Sequence, residues 1–270
     1  MRLMDQPEPF DRDAYLARIG VRGTPAPDLD TLRRLHIAHL GRIPFENLDV
    51  RLGRPVSLDL EALQAKLVAS HRGGYCFEQN TLFAATLRAL GFTVETLEAR
   101  VRPLGATTPT PRTHMLLHTV VDGRPWLADV GFGGDGPLLP VPLDSEPSEQ
   151  PDGQYRVVQE PDGTHVLRLL RDGSSRDLYA FGLVPALPLD FEVANHFTST
   201  HPRSPFVRTL TVQRSTPEER WILRGRTLTV RSAGSETVRE ISDAELPALL
   251  RTCFLLDVSD EDALRALGSP

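Results

Sequence analysis

The chain has 270 residues, of which 40% are hydrophobic and 24% charged, and a formal net charge of -6. That is enough apolar material for one large domain or two to three small ones. The acidic balance leaves no basic footprint for nucleic acid, so an anionic ligand would have to be held locally by backbone amides or a few arginines.

The opening MRLMDQPEPF lacks the apolar run of a signal peptide, and nothing approaches the ~18 apolar residues of a membrane span. DRDAYLARIG predicts a short helix, and DLDTLRRLHIAHLG a longer one with Gly41 at its end. Leu60, Leu63 and Leu67 recur at helical spacing behind Ser57, a candidate cap. Lys66, the only lysine, falls in this helical pattern, so Schiff-base chemistry would rest on it alone. Phe83, Leu87 and Leu90 mark a further helix that Gly91 ends.

Beyond Gly91 the pattern becomes strand-like. FTVETLEARVRP reads as a strand, and Asp122-Gly123 sits between two apolar runs, a strong hairpin signal. DSEPSEQPDG reads as a loop, and further turns are predicted at Asp162-Gly163 and Asp172-Gly173. Strands continue through RTLTVQRS, RWILRGRTLTVRS and ETVREIS. Ser242 and Glu245 suggest a capping box for a helix reaching Leu250, with Pro247 limiting its start, and a last short helix should end before Gly268. Helices followed by a β meander and then mixed elements indicate an α+β chain. Boundaries are expected near Gly91 and in the Pro-rich 184–197 stretch, dividing the chain into residues 1–91, 92–195 and 196–270.

Two cysteines, Cys76 and Cys253, fit no metal-ligand spacing, and a reduced, cytoplasmic protein is the simple reading. No Walker-type loop is present. In HRGGYCFEQN, Cys76 stands behind two glycines and Arg72 at a helix start, where the helix dipole and free N–H groups favour thiolate. By itself this leaves Cys76 either a nucleophile or a small buried residue, since free cysteines are commonly buried and inert.

A nucleophilic cysteine needs a base and an orienting group. With a two-residue turn at Asp122-Gly123, Val121 faces Arg124, Leu116 faces Asp129 and His114 faces Gly131. His114 and Asp129 then share a face as diagonal neighbours, ~7–8 Å apart at Cα. Asp129 lies in the apolar run WLADVGF, where a carboxylate needs a partner. His118 shares the face but lies opposite Leu127, and reads as a packed or supporting histidine. The remaining histidines, His36 and His39 among them, have no acidic partner suggested by spacing. GFGGDG (131–136) matches a dinucleotide fingerprint, but PLLPVPLD follows and no helix can start there. It reads either as a backbone loop lining a pocket or as a plain wide turn.

RGGYCFEQN, Thr113-His114, LADVGFGG, IPFENLD and FTSTHPRSPF together resemble the arylamine N-acetyltransferases over nearly the whole chain from Phe10. The resemblance implies an N-terminal helical bundle, a central β-barrel and a C-terminal α/β lid, with a cysteine-protease-like Cys-His-Asp site at Cys76, His114 and Asp129. It implies acetyl-CoA as donor, an arylamine, hydrazine or arylhydroxylamine as acceptor, and an acetyl-cysteine intermediate, with no metal or redox cofactor. It also implies that Thr113, Phe132 and Gly133 contact CoA or the acceptor, although Phe132 on its own reads equally as a core residue. Macrolactam-forming amide synthases and thiol hydrolases such as cysteine peptidases are the rival readings, and a non-enzymatic binding module leaves the triad unexplained. The oligomeric state stays open, a homo-oligomer included.

Overall fold

The structure is a computed structural model that describes residues 10–23, 25–102, 110–232 and 234–268; the N-terminal decapeptide read above lies outside these except for Phe10. Helices α1 (Arg12–Ile19) and α2 (Leu29–Arg42) lead to strand β1 (Phe45–Glu46) and the short α3 (Leu48–Arg51). Next come α4 (Leu60–Leu63), a π-helical stretch (Gln64–Ala69) and α5 (Cys76–Ala89). Tyr15, Leu32, Leu35, Phe77, Phe83 and Leu87 pack as one helical core, all fully buried.

The second part is an antiparallel sheet of β2 (Val94–Val101), β3 (Arg112–Val121), β4 (Arg124–Ala128), β5 (Val141–Pro142), β6 (Ser148–Gln150), β7 (Gly153–Gln159), β8 (His165–Arg171) and β9 (Ser174–Phe181). Its order is β5-β4-β3-β2-β9-β8-β7-β6, and β5 approaches β7, so the sheet nearly closes into a barrel. Leu97, Leu116, Leu127, Tyr155 and Tyr179 form its core. Helices α6 (Pro188–Thr200) and α7 (Pro205–Arg208) then lead to β10 (Thr211–Ser215), β11 (Glu219–Arg224), β12 (Thr227–Ser232) and β13 (Ser235–Glu240). Helices α8 (Leu246–Thr252) and α9 (Asp260–Gly268) close the chain and pack Leu246, Leu250 and Ala266 against this sheet. Strand β1 joins its edge through Phe45↔Gln213 and Glu46↔Val212. Asn47 fixes that join, its amide donating to the carbonyls of Phe206 (2.7 Å) and Thr209 (2.9 Å) and accepting from Thr211 N–H at 2.7 Å. The chain is thus α+β, with a sheet that draws on both its ends.

Several local expectations need correction. Gly41 does not end α2; the helix continues to Arg42 and stops because Ile43, preceding Pro44, is held extended. Ser57 is no cap: Asp59 occupies the N-cap position, with its N–H donated to Ser57 Oγ at 3.1 Å. The 144–153 segment is not all loop, because 148–150 pairs with β7. The expected division at 195/196 falls inside α6, since Pro188 opens that helix at a first-turn position where its missing N–H costs nothing. Pro247 moves the start of α8 to Leu246, leaving Ser242 in a preceding turn that accepts from Glu245 N–H at 3.1 Å. Helix α9 includes Gly268.

Lys66 is the largest departure. It lies in the π-helical stretch, and its Nζ sits 2.6 Å from Asp49 Oδ2 and 2.7 Å from Glu78 Oε1. Arg72 extends the network to Glu46 (2.7 Å) and Asp49 (3.2 Å). Burial disfavours the charge on Lys66, but the three carboxylates outweigh it and raise its pKa. Glu78 is fully buried and bears the opposite tension, its pKa raised by burial despite Lys66. Removing one partner of a buried ion pair strands the other charge. Lys66→Met should therefore lower unfolding free energy in a urea titration, toward the lower end of about 3–5 kcal/mol because Lys66 keeps 18% side-chain exposure. A loss below about 1 kcal/mol, the level of a surface pair, would show that Glu78 does not depend on it.

Candidate active site

The start of α5 is built by close backbone packing. A Cβ on Gly73 would collide with the Pro44 carbonyl, and one on Gly74 would lie 2.6 Å from Glu78 Oε2. Only glycine lets the chain pass here, and Glu78 then accepts the Tyr75 N–H at 3.0 Å, capping the helix. Cys76 is the first helical residue, buried at 4% exposure, with its sulfur 3.6 Å from the Thr113 carbonyl oxygen.

The hairpin forms in the expected register, Val121↔Arg124 through His118↔Leu127, but its ladder stops at Leu117↔Ala128. Asp129 and Gly131 never pair with Leu116 and His114 as expected. Their N–H groups are taken elsewhere: Asp129 N–H by His36 Nε2 (3.1 Å), Val130 N–H by Asn80 Oδ1 (3.1 Å) and Gly131 N–H by Asp129 Oδ1 (2.9 Å). The chain is thereby drawn onto α5, and a Cβ on Gly131 would lie 2.7 Å from Cys76 Cα.

The side chains nonetheless meet. His114 Nε2 donates to Asp129 Oδ2 at 2.8 Å, and Cys76 lies on the same imidazole, near enough to help raise its pKa. Asp129 is buried and receives three further donors: Asn80 Nδ2 (2.9 Å) and Gly131 N–H on Oδ1, and Tyr179 Oη (2.9 Å) on Oδ2. Burial opposes its charge, but the His114 charge and these hydrogen bonds hold its pKa below the usual carboxylate value. Burial likewise opposes imidazolium at His114, yet the Asp129 carboxylate, with Cys76, raises its pKa to about 10. The two shifts agree on an ion pair out of water.

His36, set aside on sequence grounds, supports this centre. Its Nδ1–H donates to the Leu138 carbonyl at 2.9 Å, which leaves Nε2 as the acceptor for Asp129 N–H. Burial pushes its pKa down to about 4, so it is neutral. Asn80 and Tyr179 were also missed. Asn80 could have been found, because it lies one helical turn after Cys76 and so on the same face of α5. Tyr179 carries no local signal; only barrel closure brings β9 to Asp129.

Phe132 stands edge-on to the His114 ring, centroids 5.2 Å apart, and 5.1 Å from Tyr179. Thr113 contributes its carbonyl beside Cys76, and Gly133 turns with φ +69° against Gln213 of β10. GFGGDG is therefore a backbone loop beside the triad, with no helix after it. His118 pairs with Glu95 at 2.9 Å instead of joining the site. Cys253 is half-buried, and its sulfur contacts the Thr252 hydroxyl at 3.6 Å.

Known proteins share this fold and sequence. A family model described as N-acetyltransferase matches residues 28–263. An arylamine N-acetyltransferase of Mycolicibacterium smegmatis is 43% identical, over 93% of this chain and 94% of the relative. The Salmonella typhimurium arylamine N-acetyltransferase / N-hydroxyarylamine O-acetyltransferase is 36% identical, over 92% and 89%. Among solved structures, the M. smegmatis enzyme superposes with a TM-score of 0.90 at 39% identity, over 96% of this chain and 98% of that one. The Mycobacterium marinum arylamine N-acetyltransferase in complex with CoA gives 0.89 at 35%, over 95% and 98%. A match of this extent, to the family model and to relatives along nearly their whole length, shows that the chain belongs to the arylamine N-acetyltransferase family of acetyltransferases.

Proposed function

We propose that this chain transfers the acetyl group of acetyl-CoA to arylamines, hydrazines or arylhydroxylamines by double displacement, with Cys76 as nucleophile, His114 as base and Asp129 as orienting group. The observation that carries the reading is the buried Cys76–His114–Asp129 relay, with His114 Nε2 already committed to Asp129. That leaves Nδ1 to serve the sulfur.

The resting pair is Cys76 thiolate and His114 imidazolium. The sulfur attacks the thioester carbonyl, and a tetrahedral oxyanion forms. The Cys76 N–H, which has no intrahelical acceptor at the first helical position, is the backbone donor free to receive it. Collapse breaks the carbon–sulfur bond to CoA, whose thiolate takes the imidazolium proton. The amine then attacks acetyl-Cys76 while neutral His114 accepts its proton. Expulsion of the thiolate restores the starting pair. The edge of this site carries Phe132, whose ring offers an aromatic face to an aryl acceptor, with Thr113 and Gly133 lining the approach. The two free cysteines suit the reduced cytoplasm.

Incubation with acetyl-CoA should add one acetyl group, and peptide mapping should place it on Cys76. A subsequent arylamine should remove it as the N-acetyl product. Label on Cys253, or none on Cys76, would contradict the assignment.

Asp129→Asn should be more damaging than its small size change suggests. All four hydrogen bonds to Asp129 are donated to it, so an amide must turn its NH₂ against a donor. It also removes the charge that favours imidazolium. Acylation by acetyl-CoA, followed by stopped flow, should slow by ~10²-fold or more. Near-normal turnover in a folded variant would mean that another residue orients His114.

A further inference from the structure

The segment that joins β4 to β5 is held at both ends by one side chain from a distant helix. The β3–β4 ladder ends at Leu117↔Ala128, and the next N–H, that of Asp129, donates to His36 Nε2 at 3.1 Å. At the far end of the segment, the Leu138 carbonyl accepts from Nδ1–H of the same ring at 2.9 Å. A carbonyl only accepts and a backbone N–H only donates, so the two contacts fix one tautomer, with the proton on Nδ1 and the lone pair on Nε2. The Leu138 N–H is held separately, by Gln150 Oε1 at 2.7 Å.

His36 is fully buried on α2, edge-on to Phe83 of α5 with ring centroids 5.9 Å apart. A buried imidazole costs more than an aliphatic side chain unless both nitrogens are bonded. Both are, and their partners are the backbone at the two ends of the segment that carries Asp129, Gly131 and Phe132. Between those ends Asp129 Oδ1 takes the Gly131 N–H at 2.9 Å, and Phe132 stands on the His114 ring. The direction of the Asp129 carboxylate thus depends on how its own peptide is held. Among the described residues, the titratable groups that act on the ring or respond to it are Asp129 from the loop and His39 on α2 itself, while Phe83 from α5 is uncharged. Burial dominates and pushes the His36 pKa down to about 4, so the ring stays neutral and keeps its acceptor. A charged ring would turn a donor against the Asp129 N–H and open that end.

We propose that His36 is a positioning residue of the acyl-transfer centre, a neutral clasp that ties both ends of the 129–138 loop to α2 and so aims the Asp129 carboxylate at His114. The proposal rests on the Cys76–His114–Asp129 reading above. His36 acts through Asp129 and not on the reacting atoms. With the clasp in place the carboxylate meets His114 Nε2 at 2.8 Å, and the imidazolium it favours lowers the pH at which Cys76 becomes reactive. With the clasp removed, the Asp129 N–H loses its acceptor and the Leu138 carbonyl its donor, and the loop must move to recover them. The carboxylate then couples less well to His114.

The test sets His36→Leu, which removes both bonds, beside His36→Gln, whose amide keeps one acceptor and one donor and never titrates. In His36→Leu, alkylation of Cys76 by iodoacetamide below neutral pH should slow about tenfold, with its midpoint displaced toward the free-thiol range. Acylation at saturating acetyl-CoA should slow by a similar factor with little change in KM. His36→Gln should recover most of both rates. A packing role alone would cost stability in both variants and leave the alkylation midpoint in place. A wild-type midpoint in folded His36→Leu, or an equal displacement in both variants, overturns the proposal. Nitrogen NMR of histidine-labelled wild type reads the clasp without any variant: the Nδ1–H tautomer of His36 is expected at neutral pH, and the Nε2–H tautomer overturns it. Should wild type transfer no acetyl group while alkylation still slows in His36→Leu and recovers in His36→Gln, the reading of the reaction fails and the clasp stands.

Discussion

The buried carboxylate of Asp129 is the constraint around which the centre of this molecule is arranged. A charge at 1% exposure is tolerable only when every lone pair is answered. The answers come from four places: Asn80 on α5, the Gly131 N–H in the loop, Tyr179 on β9 and His114 on β3. Satisfying Asp129 therefore pins the helix that begins at Cys76 to the barrel. His36 adds α2 to the same node through the Asp129 N–H. The imidazolium that Asp129 favours faces Cys76.

This arrangement also sets how pH acts on stability. His114 has a raised pKa, so its contribution is complete below the ordinary histidine value of ~6.5 and is lost as pH rises toward about 10. Asp129 has a lowered pKa, so its contribution is present above the ordinary value of ~3.9 and is lost below it. His36 and His39 are buried neutral, with pKa values near about 4 and about 3, so what they contribute is present above ~6.5 and erodes as pH falls. The opposing slopes cross near the ordinary histidine value. The helix under Cys76 has a separate foundation, the Lys66–Glu78–Asp49 and Arg72–Glu46 pairs, which hold the π-helical stretch, the glycine pair and the cap together.

Much of the site was legible because its signals are local. The Asp122-Gly123 turn set the register that brings His114 near Asp129, and two glycines before Cys76 marked a helix start. What stayed hidden depends on residues distant in sequence. Tyr179 reaches Asp129 only because β9 pairs with β2. His36 has no acidic side chain to match, since it serves a backbone N–H. Lys66 looks like any helical surface residue until Asp49 and Glu78 enclose it, and a π-helix has no simple periodic signature. Proline misled at 184–197, where it opens α6 instead of marking a linker. The fold class, the barrel and the family resemblance needed only patterns and motifs; the ion-pair foundation and the fourfold saturation of Asp129 needed tertiary structure.

The central claim is that Cys76 and His114 act as one charged pair, and alkylation of Cys76 by iodoacetamide as a function of pH reads it directly. Helix dipole and Arg72 could favour thiolate without any histidine, so the comparison of wild type with His114→Gln carries the weight. The account predicts fast alkylation of wild type well below neutral pH. In His114→Gln that low-pH reactivity should vanish, with the rate climbing only toward the range of a free thiol, ~8.5. A folded His114→Gln protein that keeps the wild-type profile would contradict the ion pair and leave His114, at most, a base for the second half of the reaction.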